Sequence, residues 1–128
     1  MAGVTAEAEL EATYRTYVEI FNREDSAALA QLLAYPAVGG GNASPQVYKE
    51  PVEFQRMIEG TFAHFKAKGW ARSQVDSTEG VVMAGDTGLV RAVFSRCRAD
   101  GGVYESGSGN YVMRRIDGRW KIVAMLVA

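Results

Sequence analysis

The stretch VYESGSGNYVMRRIDGRWKIVAMLV, residues 103–127, decides the fold, because it predicts two long β-strands joined by a tight turn. Asp117 and Gly118 lie between two apolar runs, and Asp-Gly in that position is the strongest short-range signal of a β-hairpin. Residues Ile122–Ala128 are apolar on both faces, and an exposed edge strand of that kind would invite aggregation. We therefore expect this last strand in the middle of a sheet, paired on both sides.

Two further strands precede this hairpin, over Trp70–Ala84 and Gly88–Ala99. The loops that separate them are rich in glycine and aspartate, which tolerate positive φ. Four strands in succession predict a meander, and their length favours a curved sheet. Gly107 and Gly109 lie inside the third strand, Val103–Ile116, where glycine is typical of a bulge or bend.

The first half of the chain predicts mainly helices. Thr5 can cap the first helix, and one helical face then carries an apolar stripe of Leu10, Tyr14, Tyr17, Val18 and Phe21. Pro51 suits the first turn of another helix, and Gly69 suits its end. Between these two, we expect a short helix over Ala27–Leu33.

The segment around this short helix has weaker signals. Asp25 or Ser26 can cap the helix, and Pro36 stops it. Residues Ala37–Ser44 predict either an irregular edge strand and turn or a flexible hairpin loop, and Gln46–Lys49 is a short strand candidate. Helices segregated from an antiparallel meander favour the α+β class. We expect one domain, residues 1–128, with a cone-shaped, curved, mixed or antiparallel sheet packed against three N-terminal helices.

Composition excludes several function classes. The chain has 14 Lys and Arg and 15 Asp and Glu, so it lacks the basic excess that nucleic-acid binding requires. One cysteine, Cys97, and one histidine, His64, make a metal site improbable. The glycines before Asn42 lack the lysine of a phosphate-binding loop, and we expect no cofactor. No apolar run reaches the roughly 20 residues of a membrane helix, and no signal peptide is recognisable, so we expect a cytoplasmic protein.

Two segments carry a family resemblance. The run Tyr17–Asp25 leading into Ala28–Leu33, together with the closing Asp117–Ile122, resembles the nuclear transport factor 2-like superfamily, also called SnoaL-like, over nearly the whole chain. The segments Gly69–Ser73 and Phe94–Gly101, with an acidic residue like Asp76, are similar to small bacterial members of unassigned role.

The resemblance implies a cone with a central pocket, closed on one side by the first helix, and often a homodimer formed through sheet faces. The superfamily includes ketosteroid isomerase, scytalone dehydratase, limonene epoxide hydrolase and polyketide cyclases, beside non-catalytic transport and association modules. Function must therefore be argued from the site, since the same fold occurs in enzymes of several kinds and in non-catalytic proteins.

Weak catalytic candidates follow from comparison with these enzymes. Tyr17 falls where the isomerase carries its oxyanion tyrosine, but the base position falls on or near Gly41, which offers no proton acceptor. A dehydratase or cyclase would pair His64 with Asp76, and a hydrolase relay would combine Asp76, Arg96 and Glu105. The alternatives are a partly exposed helix histidine and a routine cross-strand ion pair between Arg96 or Arg98 and Glu105.

Aromatic residues supply the candidate ligand contacts. Five of them, with Glu105, are our candidate ligand-binding set: Tyr14, Tyr17, Tyr48, Trp70 and Tyr111. These rings, with Trp120, either line a pocket for a small hydrophobic ligand or fill the cone. The first reading predicts a binder or a cofactor-free lyase, isomerase or hydrolase, and the second predicts a non-catalytic homodimeric association module.

The orientation of three charged side chains distinguishes the two readings. If Asp76, Arg96 and Glu105 converge inside the cone, they favour chemistry. Alternation places Arg96 on one strand face with Arg98, and places Arg91, Val93, Ser95 and Cys97 on the other. A bulge at Gly107 or Gly109 would invert the phase of Glu105 and Tyr111.

Overall fold

The computed structural model describes residues 3–40 and 44–128, which form three helices and a mixed sheet of six strands. The helices are α1 (Ala6–Asn22), α2 (Ser26–Ala30) and α3 (Pro51–Ala67). The strands are β1 (Leu33–Gly40), β2 (Gln46–Tyr48), β3 (Arg72–Ala84), β4 (Thr87–Cys97), β5 (Val103–Ile116) and β6 (Arg119–Val127).

The strand order is β2-β1-β6-β5-β4-β3. The last four strands form the expected antiparallel meander, and β1 pairs parallel to β6. The apolar strand β6 therefore lies inside the sheet with a partner on each side, which confirms its expected position. The sheet does not close, and the helices cover one of its faces, so the architecture is the expected α+β cone.

Local sequence explains the two long helices. The Thr5 hydroxyl accepts a hydrogen bond from the Ala8 backbone N–H at 3.1 Å and so caps α1. Pro51 occupies the first turn of α3, and Gly69 follows its end with a φ of 95°. The apolar stripe of α1 is buried against the inner face of the sheet, whereas that of α3 packs against α2, Tyr48 of β2 and Phe21 of α1. The fully buried core includes Leu10 and Phe54.

The boundary between α2 and β1 differs from the expectation. Asp25 caps α2 through the Ala28 N–H at 3.0 Å, but the helix ends at Ala30, and Leu33 begins a strand. Leu33 pairs with Ile122 of β6, whose N–H donates to the Leu32 carbonyl oxygen at 2.8 Å. This long-range pairing outweighs the local helical pattern. Strand β1 lies between β2 and β6, so the edge-strand alternative for Ala37–Ser44 was wrong, and residues 41–43 of that segment lie outside the described residues.

The two glycines inside β5 do not form bulges, which corrects that prediction. Gly107 pairs with Phe94 and Gly109 pairs with Ala92 in continuous register. A Cβ atom on Gly107 would lie 2.8 Å from Phe94 Cζ, and one on Gly109 would lie 2.8 Å from Tyr111 Cε2. The glycines therefore make room for aromatic rings on the inner face, and the strand keeps its phase.

The face of the sheet opposite the helices carries an apolar row. Successive cross-strand partners contribute one residue from each described strand: Val47, Val38, Ala124, Val112, Leu89 and Val81. Val47 is 55% exposed and Val81 is 36% exposed, and the other four are half-buried. Paired positions share a face of a sheet, so this row crosses the whole uncovered face.

Candidate functional site

A cavity of about 740 Å³ lies between the inner face of the sheet, α1 and α3. Its wall is largely aromatic and aliphatic, and its polar groups come from every surrounding element. Helix α1 contributes Tyr14 and Tyr17, strand β5 contributes Glu105 and Tyr111, and strand β4 contributes Arg96. The volume falls within the range of about 300–1,000 Å³ that is typical of small-molecule sites.

Three tyrosine rings form one wall of the cavity. The Tyr111 ring lies 4.7 Å from that of Tyr14 and 5.9 Å from that of Tyr17, between ring centroids. Burial raises the pKa of Tyr14 to about 12, and it also raises the pKa values of Tyr17 and Tyr111. All three hydroxyls therefore stay protonated at neutral pH, where they can donate hydrogen bonds to a ligand oxygen but cannot act as bases.

A fourth tyrosine, Tyr48, closes the cavity beside β1. A Cβ atom on Gly39 would lie 2.8 Å from Tyr48 Cε2, so the glycine makes room for this ring. The ring also packs edge-on against Phe54, with 5.6 Å between centroids. Gly39 and Gly40 end β1, whereas Gly41, the expected base position, lies outside the described residues.

Arg96 extends into the cavity between two aromatic rings. Its guanidinium carbon lies 4.3 Å from the Phe65 ring centroid and 4.9 Å from that of Phe94, and its side chain is only 13% exposed. Arg96 Nη1 lies 3.4 Å from Glu105 Oε2, and the two residues are direct cross-strand partners. The expected cross-strand ion pair is therefore present, and it faces the cavity.

His64 and Lys68 line the rim of the cavity on α3, one helical turn apart. Both side chains are exposed. Lys68 was not among the expected site residues. Its i+4 spacing from His64 was the signal that would have placed it on the same helix face.

Asp76 does not enter the cavity, which corrects the expectation that it points inward. Its carboxylate accepts hydrogen bonds from Ser95 Oγ at 2.5 Å and from Gln74 Nε2 at 2.9 Å, on the uncovered face of the sheet. These two hydrogen bonds lower the pKa of Asp76, and the bond from Ser95 has the larger effect. The β3–β4 register shifts between Val75 and Ser77, so Asp76 lies in an irregularity of the strand. Neither a pair with His64 nor a relay through Arg96 is formed.

Trp70 is the other expected site residue that does not line the cavity. It is buried behind the wall, 5.4 Å from Phe21 between ring centroids, and its Nε1–H donates to Ser73 Oγ at 3.0 Å. The remaining expected ligand contacts line the cavity: Tyr14, Tyr17, Tyr48, Glu105 and Tyr111. The residues missed by sequence reasoning include Phe65 and Phe94, which hold Arg96.

A family model described as NTF2-like protein (DUF6841) matches residues 7–128. The chain belongs to the NTF2-like proteins. This finding confirms the family resemblance of the sequence. No curated protein sequence matches the chain significantly.

Solved structures share the fold at low sequence identity. An NTF2-like protein with a cystatin-like fold from Novosphingobium aromaticivorans is 20% identical, with a TM-score of 0.74 over 94% of this chain and 79% of that one. A candidate aromatic ring hydroxylase from the same organism is 16% identical, with a TM-score of 0.75 over 99% and 90%. A candidate calcium/calmodulin dependent protein kinase II association domain from Xanthomonas campestris is 15% identical, with a TM-score of 0.71 over 98% and 91%. At these identities the likeness establishes the fold alone.

Within residues 3–40 and 44–128, no three His, Cys, Asp or Glu side chains are grouped as metal ligands would be. In the same part of the chain, no helix combines the length and the apolar character needed to cross a membrane.

Proposed function

We propose that this NTF2-like protein binds a small hydrophobic molecule in the cavity between α1, α3 and the inner face of the sheet. The observation that carries the proposal is the composition of the cavity: about 740 Å³ of space, aromatic walls and a few convergent polar groups. Tyr14, Tyr17 and Tyr111 would donate hydrogen bonds to a ligand oxygen, because a phenol is neutral at physiological pH and burial raises its pKa still higher.

The same lining is compatible with cofactor-free lyase, isomerase or hydrolase chemistry. Neutral tyrosine hydroxyls can stabilise negative charge that develops on a substrate oxygen. Glu105 and His64 are the cavity residues that could exchange a proton with substrate. Support for a small-molecule role also comes from the structural neighbour described as a candidate aromatic ring hydroxylase.

A thermal-shift screen with steroids, terpenoids, polyketide fragments and aromatic acids tests the binding proposal. A ligand at 100 times its dissociation constant should add about 2.7 kcal/mol of stability and raise the melting temperature by several degrees. Thr61 lines the cavity from α3, so Thr61→Phe should abolish the shift. Thr16 is exposed on α1 and does not line the cavity, so Thr16→Phe is the matched control and should retain it.

Two results would reject the binding proposal. One is a panel in which no compound shifts the melting temperature. The other is a shift that persists unchanged in Thr61→Phe, because a ligand bound elsewhere would be insensitive to a phenyl ring in the cavity.

The uncovered face of the sheet favours a second candidate function, homodimeric association. The apolar row crosses six strands, which at about 4.8 Å between strands spans roughly 24 Å. Strand β4 has 11 residues, or roughly 36 Å at about 3.3 Å per residue, so the face covers roughly 900 Å². A standard interface buries about 800 Å² on each partner. A second copy of this chain fits such a surface, because an apolar row is complementary to itself under two-fold symmetry.

Analytical ultracentrifugation tests the association proposal. Wild type should sediment as a dimer at micromolar concentration, and Val112→Lys, in the middle of the row, should sediment as a monomer. Thr16→Lys adds the same charge on α1 and should leave the dimer intact. A monomeric wild type, or a Val112→Lys variant that remains dimeric, would rule out this interface.

A further inference from the structure

Arg96 is the cavity cation whose position is fixed by neighbouring side chains. Phe65 on α3 and Phe94 on β4 lie 4.3 Å and 4.9 Å from its guanidinium carbon and restrict its position. A guanidinium group has five N–H donors in a planar fork that matches a carboxylate. The side chain is 13% exposed, so this fork is largely removed from bulk water.

The ion pair with Glu105 leaves this donor capacity mostly unused. The Nη1–Oε2 distance of 3.4 Å exceeds the roughly 2.7–2.9 Å of a short charge-assisted hydrogen bond. The Glu105 side chain is 41% exposed, so water screens the pair. The Ala128 backbone also lines the cavity, but it hydrogen-bonds to Ser108 and makes no ion pair with Arg96. The guanidinium group therefore has room for a better partner.

The cavity lining has more basic side chains than acidic side chains. Among the described residues, Lys68 and Arg96 line it with a single acidic side chain, Glu105, and His64 lies beside them. Burial is the main cause of the raised pKa of Tyr111, and the charge of Arg96 opposes that rise. Arg96 and the three tyrosines line the same cavity, so one ligand can contact both the cation and the rings.

We propose that the ligand of this cavity is an organic acid whose carboxylate binds Arg96 and whose flat apolar body packs against the tyrosine and phenylalanine rings. This inference rests on the proposed binding function and names its ligand class. Lys68 at the rim attracts the anion, and the carboxylate takes the place of Glu105 on the guanidinium group. Glu105 can turn toward water, because its side chain is already partly exposed.

Glu105 and the ligand carboxylate compete for the Arg96 guanidinium group, so a change at Glu105 should alter the affinity for acids. Removal of the Glu105 charge should tighten the binding of acids, because it frees Arg96 and removes a like charge from the ligand. A merely structural ion pair would not produce this gain. Glu105→Gln is expected to bind acids about two- to fivefold more tightly, because a water-screened ion pair competes only weakly for Arg96.

Isothermal titration calorimetry with matched acids and amides tests the inference. The probes are benzoate, cinnamate, 2-naphthoate and decanoate, each compared with its own uncharged amide. Wild type should bind the best acid at least about tenfold more tightly than its amide, and Arg96→Gln should abolish this preference. Glu105→Gln should bind the acid more tightly and so increase the ratio of acid affinity to amide affinity. Arg91→Gln is the matched control, because Arg91 pairs with Glu79 at 3.7 Å on the uncovered face of the same strand.

The outcomes separate this inference from the binding function on which it rests. If amides bind as tightly as acids and Arg96→Gln changes neither, the cavity binds neutral molecules and the inference is wrong, while the binding function stands. If acids and amides alike fail to bind at millimolar concentration, both proposals fail. If Glu105→Gln weakens acid binding, Glu105 helps to bind the ligand and does not compete with it. The proposal that the ligand carboxylate replaces Glu105 on Arg96 is then wrong.

Discussion

Gly80→Ala should destabilise the protein, because helix α1 rests directly on this strand residue. A Cβ atom at Gly80 would lie 2.5 Å from the Glu7 carbonyl oxygen and 3.2 Å from Glu11 Cγ. The first contact is with backbone, so the helix must move by about 1 Å to restore ordinary van der Waals contact. The move would also stretch the 3.2 Å hydrogen bond that the Gly80 N–H donates to Glu11 Oε2. Overpacking of this kind costs about 1–3 kcal/mol.

Urea unfolding followed by tryptophan fluorescence measures this cost, since Trp70 and Trp120 are both buried. We expect the free energy of unfolding to fall by about 1–3 kcal/mol and the melting temperature by roughly 3–15 °C. Gly60→Ala is the matched control. Gly60 lies inside α3, and a Cβ atom there would meet nothing within 4 Å. Removal of backbone freedom should stabilise that variant by about 0.5–1 kcal/mol. A Gly80→Ala variant as stable as wild type would refute the close packing of α1 on β3.

Three further predictions concern a helix cap, the core and the tyrosine wall. Asp25→Ala should lower the free energy of unfolding by about 1 kcal/mol in urea titrations, because it removes the acceptor of the Ala28 N–H, and an unchanged midpoint would contradict the cap. Met113→Ala should cost about 2–5 kcal/mol in the same assay, since this side chain is fully buried, and a cost below about 1 kcal/mol would contradict that burial. Burial raises the pKa of Tyr14 to about 12, whereas the same side chain in the unfolded chain has a pKa near 10. The neutral Tyr14 hydroxyl therefore contributes its full stabilisation below about pH 10, and this stabilisation is lost as the pH rises toward about 12. Tyr14→Phe should flatten this alkaline loss in urea titrations between about pH 9 and about pH 11, and an equal slope in both proteins would show that Tyr14 is not buried.

Most of the secondary structure could be predicted because its signals are local. The Asp117-Gly118 turn, the Thr5 cap and the Pro51 start each act within a few residues, and all three hold in the structure. The exception is instructive. Leu33 follows a helical apolar pattern, yet it joins β1 because Ile122, far along the chain, offers strand pairing. Helix and strand propensities describe only a few neighbouring residues, so they do not include a pairing partner that is distant in the chain.

The candidate site could be predicted only in part. Alternation correctly separated Arg96, in the cavity, from Arg91 on the uncovered face. The position of Asp76 could not be predicted in this way, because the shift in register between Val75 and Ser77 interrupts the alternation. Trp70 illustrates a second limit, because an aromatic side chain near a pocket can equally lie behind its wall.

By itself, the sequence determined the order of the elements, the meander of four long strands and the central position of β6, since turn residues and apolar periodicity act at short range. Tertiary structure alone decided which side chains share the cavity. The space for Phe94 and Tyr111 depends on glycines of the sheet, and the position of Arg96 depends on Phe65 from a separate helix. These contacts join residues that are distant in the chain, so their geometry exists only after the sheet has curved and the helices have packed on it.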